Sequence, residues 1–191
     1  MPRVAIIDPQ PAVRAGLALL LRAEPGIVPV GAAAGAGDAH ELLQRRRPDI
    51  VLLDHQLRDG DGIGLCRRLK AGRSDVRVIL YTTAGDEVQL LARLAGADGI
   101  VDKAAPPAEL FEAIRRVARG QSALPPLTRE QLEAAAHVVE PDDLALLAML
   151  VDGTPAADVA ATLRMDRARV SRRTERMIGR LRGGRAPRTA A

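Results

Sequence analysis

Five short apolar runs limit what this chain can fold into: RVAIID (3–8), GIVPVG (26–31), DIVLLD (49–54), VRVILYT (76–82) and DGIVDK (98–103). Each is rich in Val, Ile and Leu, and within a run the apolar residues are consecutive rather than alternating. That is the pattern of a strand buried on both faces, as in a parallel sheet. Between the runs lie stretches with helical spacing. In the last of them Leu110, Ile114 and Val117 recur at intervals of four and three, after the start signal Pro106-Pro107. Strands alternating with helices predict an α/β unit whose parallel sheet is covered by helices on both faces.

This unit is expected to occupy residues 1–121, closing near Gly120. The segment QSALPPLTREQ that follows breaks structure at its paired prolines. Thr128 with Gln131 then makes a capping box for a short helix of about 128–138, so 122–138 reads as a linker carrying one helix. Pro141 opens an all-helical region, residues 139–182, with helices predicted at about 142–152, 155–163 and 167–182. Thr154 before Pro155 reads as a cap plus first-turn proline, and Asp166 as the cap of the third helix. Residues 183–191, GGRAPRTAA after Arg182, lack apolar periodicity and are predicted to form a disordered basic tail.

With one Tyr, one Phe and no Trp among 47% apolar residues, the core must be aliphatic. Cys66 is the one cysteine, so no internal disulfide can form; it reads as a small buried hydrophobe in a reducing compartment. The opening MPRVAIID is too short for a signal peptide or a spanning helix, which predicts a cytoplasmic protein with no membrane partner. His40, His55 and His137 have no metal-ligand spacing; His55 follows Asp54 and so could line a pocket there, but a surface loop is the expected place for it. AAAGAG (32–37) lacks the pattern of a phosphate loop.

Charge is unevenly spread. Residues 1–121 carry 17 basic and 15 acidic side chains, residues 122–163 carry 1 and 7, and residues 164–191 carry 10 and 2. The last stretch, at net +8, points to nucleic acid or another anionic surface, against a solvated tail as the plainer reading.

In an open parallel sheet, chemistry collects beyond the carboxyl ends of the strands. Asp8 ends the first run, Asp54 the third and Thr82 the fourth, and Lys103 follows the fifth. The chain has 28 Lys and Arg together, yet only Lys70 and Lys103 are lysines. A lysine at 103 therefore suggests a need for a compact point charge rather than a wide guanidinium fork. The alternative is an Asp–Lys ion pair that merely closes the sheet end.

On these residues the first region resembles the receiver domain of bacterial two-component response regulators. The matches are IID, VLLD, the pair Asp61-Gly62, YTT and GADGIVDKAAP. The resemblance implies a five-stranded, doubly wound (flavodoxin-like) sheet, with Asp54 as phosphoacceptor and Thr82 and Lys103 contacting the phosphoryl group. It implies Mg²⁺ held by Asp8, Asp54 and the carbonyl of Gln56. Most receivers end the first strand in two adjacent acids, whereas here the second position is Pro9, which offers no side-chain oxygen. Arg58 stands where a proline is usual and Ile100 where an aromatic is usual. The pocket is thus expected to be atypical, binding Mg²⁺ weakly and accepting phosphoryl weakly or not at all.

Residues 139–181 resemble the LuxR-type helix-turn-helix of NarL/FixJ-type regulators through Pro141, LALLAMLVDG, DVAATL, Met165, Val170 and Leu181. Val170, Thr174, Met177 and Leu181 form the expected packing stripe of its third helix. Arg167 and Arg169 occupy the first turn, where the helix dipole disfavours cations and a phosphate would offset the cost. By resemblance Ser171, Arg172 and Glu175 face bases in the major groove, while Arg167, Arg169, Arg173, Arg176 and Arg180 hold phosphates. Arg164 stands where the family has glycine, and no counterpart of the family's fourth helix is evident. The chain therefore reads as a DNA-binding transcription regulator, with double-stranded DNA and a sensor histidine kinase as partners and a homodimer formed through the receiver. Two alternatives stand beside it. One is a regulator controlled by a ligand or protein partner without phosphorylation. The other is an Asp-nucleophile phosphotransfer enzyme, for which Gln56 is the wrong residue where a second acid is needed.

Overall fold

The computed structural model describes residues 1–72 and 75–183. The chain divides into two compact units, Met1–Pro125 and Pro126–Ala191. In the first, strands and helices alternate: β1 (Arg3–Ile7), α1 (Pro11–Ala23), β2 (Val28–Ala33), α2 (Ala36–Arg46) and β3 (Ile50–Leu53). A two-stranded hairpin follows, β4 (Gln56–Leu57) with β5 (Gly60–Asp61), then α3 (Gly62–Gly72), β6 (Arg77–Thr82), α4 (Asp86–Leu94), β7 (Gly99–Asp102) and α5 (Pro107–Ala118). The main sheet has the order β2-β1-β3-β6-β7 with every neighbour parallel. This is the doubly wound α/β sheet that the consecutive apolar runs predict.

The physical reason lies in the strand residues. Val4 to Ile7, Ile50 to Leu53 and Val78 to Leu80 are all at most 1% exposed, so both faces of the central strands need cover. On one face Ile6, Leu52 and Ile79 pack with Leu17 and Leu21 of α1 and Leu110 and Ile114 of α5. Helices α2, α3 and α4 bury Leu43, Ile63, Leu65 and Val88. Cys66 is fully buried among them, and burial pushes its thiol up to about 12, so it is an inert hydrophobe.

The second strand lies later than the run GIVPVG suggests: β2 continues through Gly31 to Ala33, because Ala5, Ile6 and Ile7 of β1 pair with Gly31, Ala32 and Ala33. Residues 122–125, read as the start of a linker, belong to the first unit. Ala123 bridges Gly99 and donates its amide to the Asp98 carbonyl at 2.8 Å, extending the sheet beyond β7.

The second unit contains α6 (Arg129–Val138), a 3-10 turn at Pro141–Asp143, α7 (Leu144–Val151), α8 (Ala156–Thr162) and α9 (Arg167–Gly183). The capping box on α6 forms as the sequence requires: Thr128 Oγ1 accepts from the Gln131 amide and Gln131 Oε1 from the Thr128 amide. The cap of α8 differs, since Pro155 occupies the N-cap position and Thr154 lies outside the helix. Asp166 does serve α9, its Oδ1 accepting from the Arg169 amide at 2.6 Å. The packing stripe of α9 is Val170, Thr174, Met177 and Ile178; Leu181, expected there, is only half-buried. Of residues 183–191, Gly183 ends α9, and 184–191 lie outside the described residues.

Arg164, in the turn between α8 and α9, has φ 51°. That left-handed conformation costs a side-chain-bearing residue about 1 kcal/mol, which glycine avoids. Arg164→Gly is therefore expected to stabilise the second unit by about 0.5–1 kcal/mol, part of the gain being returned as extra freedom of the unfolded chain. Urea unfolding followed by far-UV circular dichroism measures it, and an unchanged or lower midpoint would contradict the assignment of strain.

Candidate functional site

The main-chain ladder carries four polar residues past the ends of the strands and sets them together. The Asp8 amide donates to the Ala33 carbonyl, that of Asp54 to Ile7, and that of Lys103 to Thr82, at 3.1, 2.8 and 3.0 Å. Asp8, Asp54 and Thr82 are 2%, 5% and 0% exposed. Lys103 Nζ sits between the two acids, 2.6 Å from Asp54 Oδ2 and 2.5 Å from Asp8 Oδ2. The first contact is an aligned hydrogen bond and the second a charge contact.

Burial by itself would raise the Asp54 carboxyl. Hydrogen bonds from His55, Lys103 and the Gln56 amide, together with the charge of Lys103, outweigh it and hold the carboxyl below its ordinary range. Lys103 shows the converse balance: burial works against its charge, but the bonds and charges of Asp54 and Asp8 hold the ammonium above its ordinary range. At neutral pH Asp54 is therefore ionised and Lys103 carries its proton.

The loop after Asp54 is shaped by two contacts that sequence reasoning did not identify. A side chain on Gly62 would place its Cβ 1.9 Å from the Asp54 carbonyl oxygen, so only glycine lets α3 begin this close to the acid. Asp59, at the hairpin tip, accepts from the Ala36 and Gly37 amides at 2.7 and 2.9 Å and so caps α2. Those amides hold its carboxyl below the usual range. The glycines of AAAGAG thus serve Asp59: a Cβ on Gly35 would meet Asp59 Oδ1 at 2.2 Å.

His55 also departs from expectation. It is not a loop residue facing solvent. Its Nδ1 lies 2.5 Å from Thr82 Oγ1 and 3.2 Å from Asp54 Oδ1, with the ring 16% exposed. The available signal was its adjacency to Asp54; the strand ends at Leu53, and the loop that follows turns the ring into the site. Tyr81, one residue before Thr82, has its ring 5.9 Å from Lys103 Nζ.

The donor set for a divalent cation is thin. Asp8 Oδ1 accepts from the Gln10 amide at 2.8 Å, and Asp54 Oδ1 from the Gln56 amide at 3.2 Å. Among the described residues no group of three or more His, Cys, Asp or Glu side chains is placed to hold a metal ion. Two carboxylates and a carbonyl can still take up Mg²⁺, which keeps several of its waters in such sites.

In the second unit a cleft on α9 is lined by Asp166, Arg169, Arg172, Arg173, Glu175 and Arg176. Arg167, Arg169, Arg172, Glu175, Arg176 and Arg180 are exposed, and Ser171 is half-buried. Arg173 does not belong with the exposed cations. Its side chain is 11% exposed, paired with buried Asp143, and donates to the Asp142 carbonyl at 2.6 Å. It anchors α9 to the 3-10 turn through these two contacts. Arg180 pairs with Glu140 at the surface. No helix among the described residues is long and apolar enough to cross a membrane.

The model of the response regulator receiver domain family matches residues 4–115. The transcriptional activator DevR/DosR of Mycobacterium tuberculosis is 33% identical over 192 aligned residues, covering 95% of this chain and 88% of its own. The structure resembles a LuxR-family two-component response regulator from Aurantimonas sp. with 34% identity and TM-score 0.63, over 71% of this chain and 99% of the other. RcsB from Salmonella enterica serovar Typhimurium, in a structure bound to a promoter with the phosphomimetic BeF3⁻, matches 94% of this chain and 91% of its own with TM-score 0.63. At 21% identity that match speaks to the fold.

Proposed function

This chain belongs to the response regulator receiver family, and from that premise we propose that it is a DNA-binding transcription regulator whose receiver pocket is weakly charged with phosphoryl at Asp54. The carrying observation is the surface of α9: Arg167, Arg169, Arg172 and Arg176 are exposed and form no ion pair among the described residues, and Arg169, Arg172 and Arg176 lie away from the buried stripe. A solvated helix would intersperse acids among them, and this one has only Glu175. Arg172 and Glu175 suit guanine and cytosine edges, with Ser171 beside them, while Arg167, Arg169, Arg176 and Arg180 suit phosphates. Arg173 is left out, since its charge is spent inside the unit.

Selection of duplexes from a random pool, followed by fluorescence anisotropy on the full chain, tests the reading. Arg172→Ala is expected to cost about 1–3 kcal/mol and to broaden the selected sequence. Arg176→Ala is expected to weaken all duplexes alike and to lower the slope of log affinity against log salt by about one. If neither variant changed affinity or salt dependence, α9 would not be the reading element.

In the receiver pocket an Asp54 oxygen attacks the phosphorus of the donor; the P–O bond forms as the donor's bond breaks and its group departs with the electron pair. Lys103 meets the phosphoryl oxygens and Thr82 offers its hydroxyl. Mg²⁺, when held by Asp8, Asp54 and the Gln56 carbonyl, neutralises phosphoryl charge. The donor is a sensor histidine kinase, and a homodimer through the receiver supplies the second copy that a two-half-site operator needs, in the cytoplasm. Pro9→Asp adds a carboxylate, and Mg²⁺ should bind that variant about tenfold tighter, near 1.4 kcal/mol. Equal and tight titration of both proteins would overturn the assignment of a weak metal site. The rival reading, control without phosphorylation, is favoured by the protein donors that already engage both Asp54 oxygens, two on Oδ1 and one on Oδ2.

A further inference from the structure

His55 has no assigned part in phosphoryl transfer, yet it is the side chain that joins the acceptor to the reporting hydroxyl. One nitrogen, Nδ1, faces two oxygens: Thr82 Oγ1 at 2.5 Å and Asp54 Oδ1 at 3.2 Å. Thr82 is fully buried, and the Asp54 and His55 side chains are 7% and 16% exposed, so water is a poor substitute for any of the three. Partner chemistry decides which form of the ring is present. An ionised carboxylate only accepts hydrogen bonds, so a bare Nδ1 lone pair facing Asp54 Oδ1 would repel it. Nδ1 therefore carries the hydrogen and shares it between the carboxylate and the hydroxyl oxygen. Thr82 Oγ1 also accepts from the Ala84 amide at 3.1 Å, which ties the segment after β6 to the same point.

We propose that His55 is a positioning residue that latches Thr82 to Asp54 before any phosphoryl group arrives, so that the place of the hydroxyl no longer depends on phosphorylation. The proposal rests on the reading of Asp54 as acceptor and Thr82 as its reporter. A phosphoryl group can shift Thr82 only by the difference between its affinities for the two positions of the hydroxyl. A hydroxyl already held beside Asp54 has little left to gain. Access is affected as well: His55 and the Gln56 amide take up Oδ1, so a donor is left with Oδ2, beside Lys103, unless it displaces one of them.

Threonine-methyl NMR on the full chain tests the latch without any donor. Wild type should show the Thr82 methyl in one rotamer. His55→Ala should move that signal and average its couplings, and the exchange of the Ala84 amide should quicken. His55→Asn keeps an N–H at similar reach and should restore the wild-type signal, which a purely space-filling role would not explain. An unmoved Thr82 signal in His55→Ala, or no recovery in His55→Asn, overturns the latch. Should His55→Ala fail to fold, long-range ¹H–¹⁵N correlation of wild-type His55 decides: a protonated Nδ1 is required, and a bare one refutes the proposal. With acetyl phosphate, His55→Ala should be labelled about threefold or more faster than wild type, the scale of one hydrogen bond. Equal labelling rates count against the latch. Absence of label in every protein instead overturns Asp54 as acceptor, and the Thr82 spectra still decide the latch.

Discussion

Replacing Asp143 by Ala is expected to unfold the second unit while leaving the first intact. Asp143 is 4% exposed and Arg173 holds it across 30 residues of chain, from α9 to the 3-10 turn. Removing one member of a buried pair leaves the other charge uncompensated, at a cost of about 3–5 kcal/mol. A unit of this size has about 3–10 kcal/mol in total. Its core rests on Leu146, Val159, Val170, Met177 and Ile178, each contributing about 1.5–3 kcal/mol before ordering costs are met. The substitution therefore removes most of the margin. The chain's one Tyr, Tyr81, and one Phe, Phe111, both lie in the first unit, so their near-ultraviolet signals should be unchanged while far-ultraviolet helicity falls. The double change Asp143→Leu with Arg173→Met should recover most of the loss, because both charges leave together. If Asp143→Ala cost under about 1 kcal/mol, the pair would behave as a surface contact.

Lys103→Met should weaken the first unit at pH 7 by about 3–5 kcal/mol, since it strands two buried carboxylates side by side. Its pH dependence has a definite sign. The Asp54 carboxyl lies below its ordinary 3.8 when folded, so the stability it contributes is complete above 3.8 and is lost as pH falls through the folded value. The Lys103 ammonium lies above its ordinary 10.5, so its contribution is complete below 10.5 and is lost as pH rises through the folded value. The difference between wild type and variant should thus hold steady across neutral pH. On the acid side it should shrink, because the stability that the Asp54–Lys103 pair gives the wild type is lost as Asp54 takes up its proton. Urea midpoints from pH 3 to 9, read on Tyr81 fluorescence, check this; a difference that widened towards acid would contradict the ion-pair account.

Much of this molecule is legible in the order of its residues. Short Val- and Ile-rich runs alternating with helical spacing read as buried strands, because exposing both faces of VLL or VILY to water is untenable, and that predicts the parallel sheet; the equally apolar LALLAMLV, which is the helix α7, shows that an apolar run by itself does not suffice. The capping box at Thr128 and the cap at Asp166 are local, made within three residues, so sequence alone determines them. The polar residues at the strand ends, Asp8, Asp54, Thr82 and Lys103, follow from the same logic, since a parallel sheet brings the ends of its strands together.

What sequence could not supply were partnerships across distance. That Lys103 lies between two acids 49 and 95 positions away depends on the sheet order β2-β1-β3-β6-β7. That His55 faces inward depends on how the loop turns after the strand ends at Leu53. Arg173 and Arg172 are neighbours of one type, and no local rule separates them. The 3-10 turn sits against one side of α9 and not the other, so Arg173 is buried beside Asp143 while Arg172 stays in solvent. Composition and periodicity determine which residues must leave water; only packed tertiary structure decides which charged groups go with them, because a buried charge is held by a partner that the chain can place anywhere.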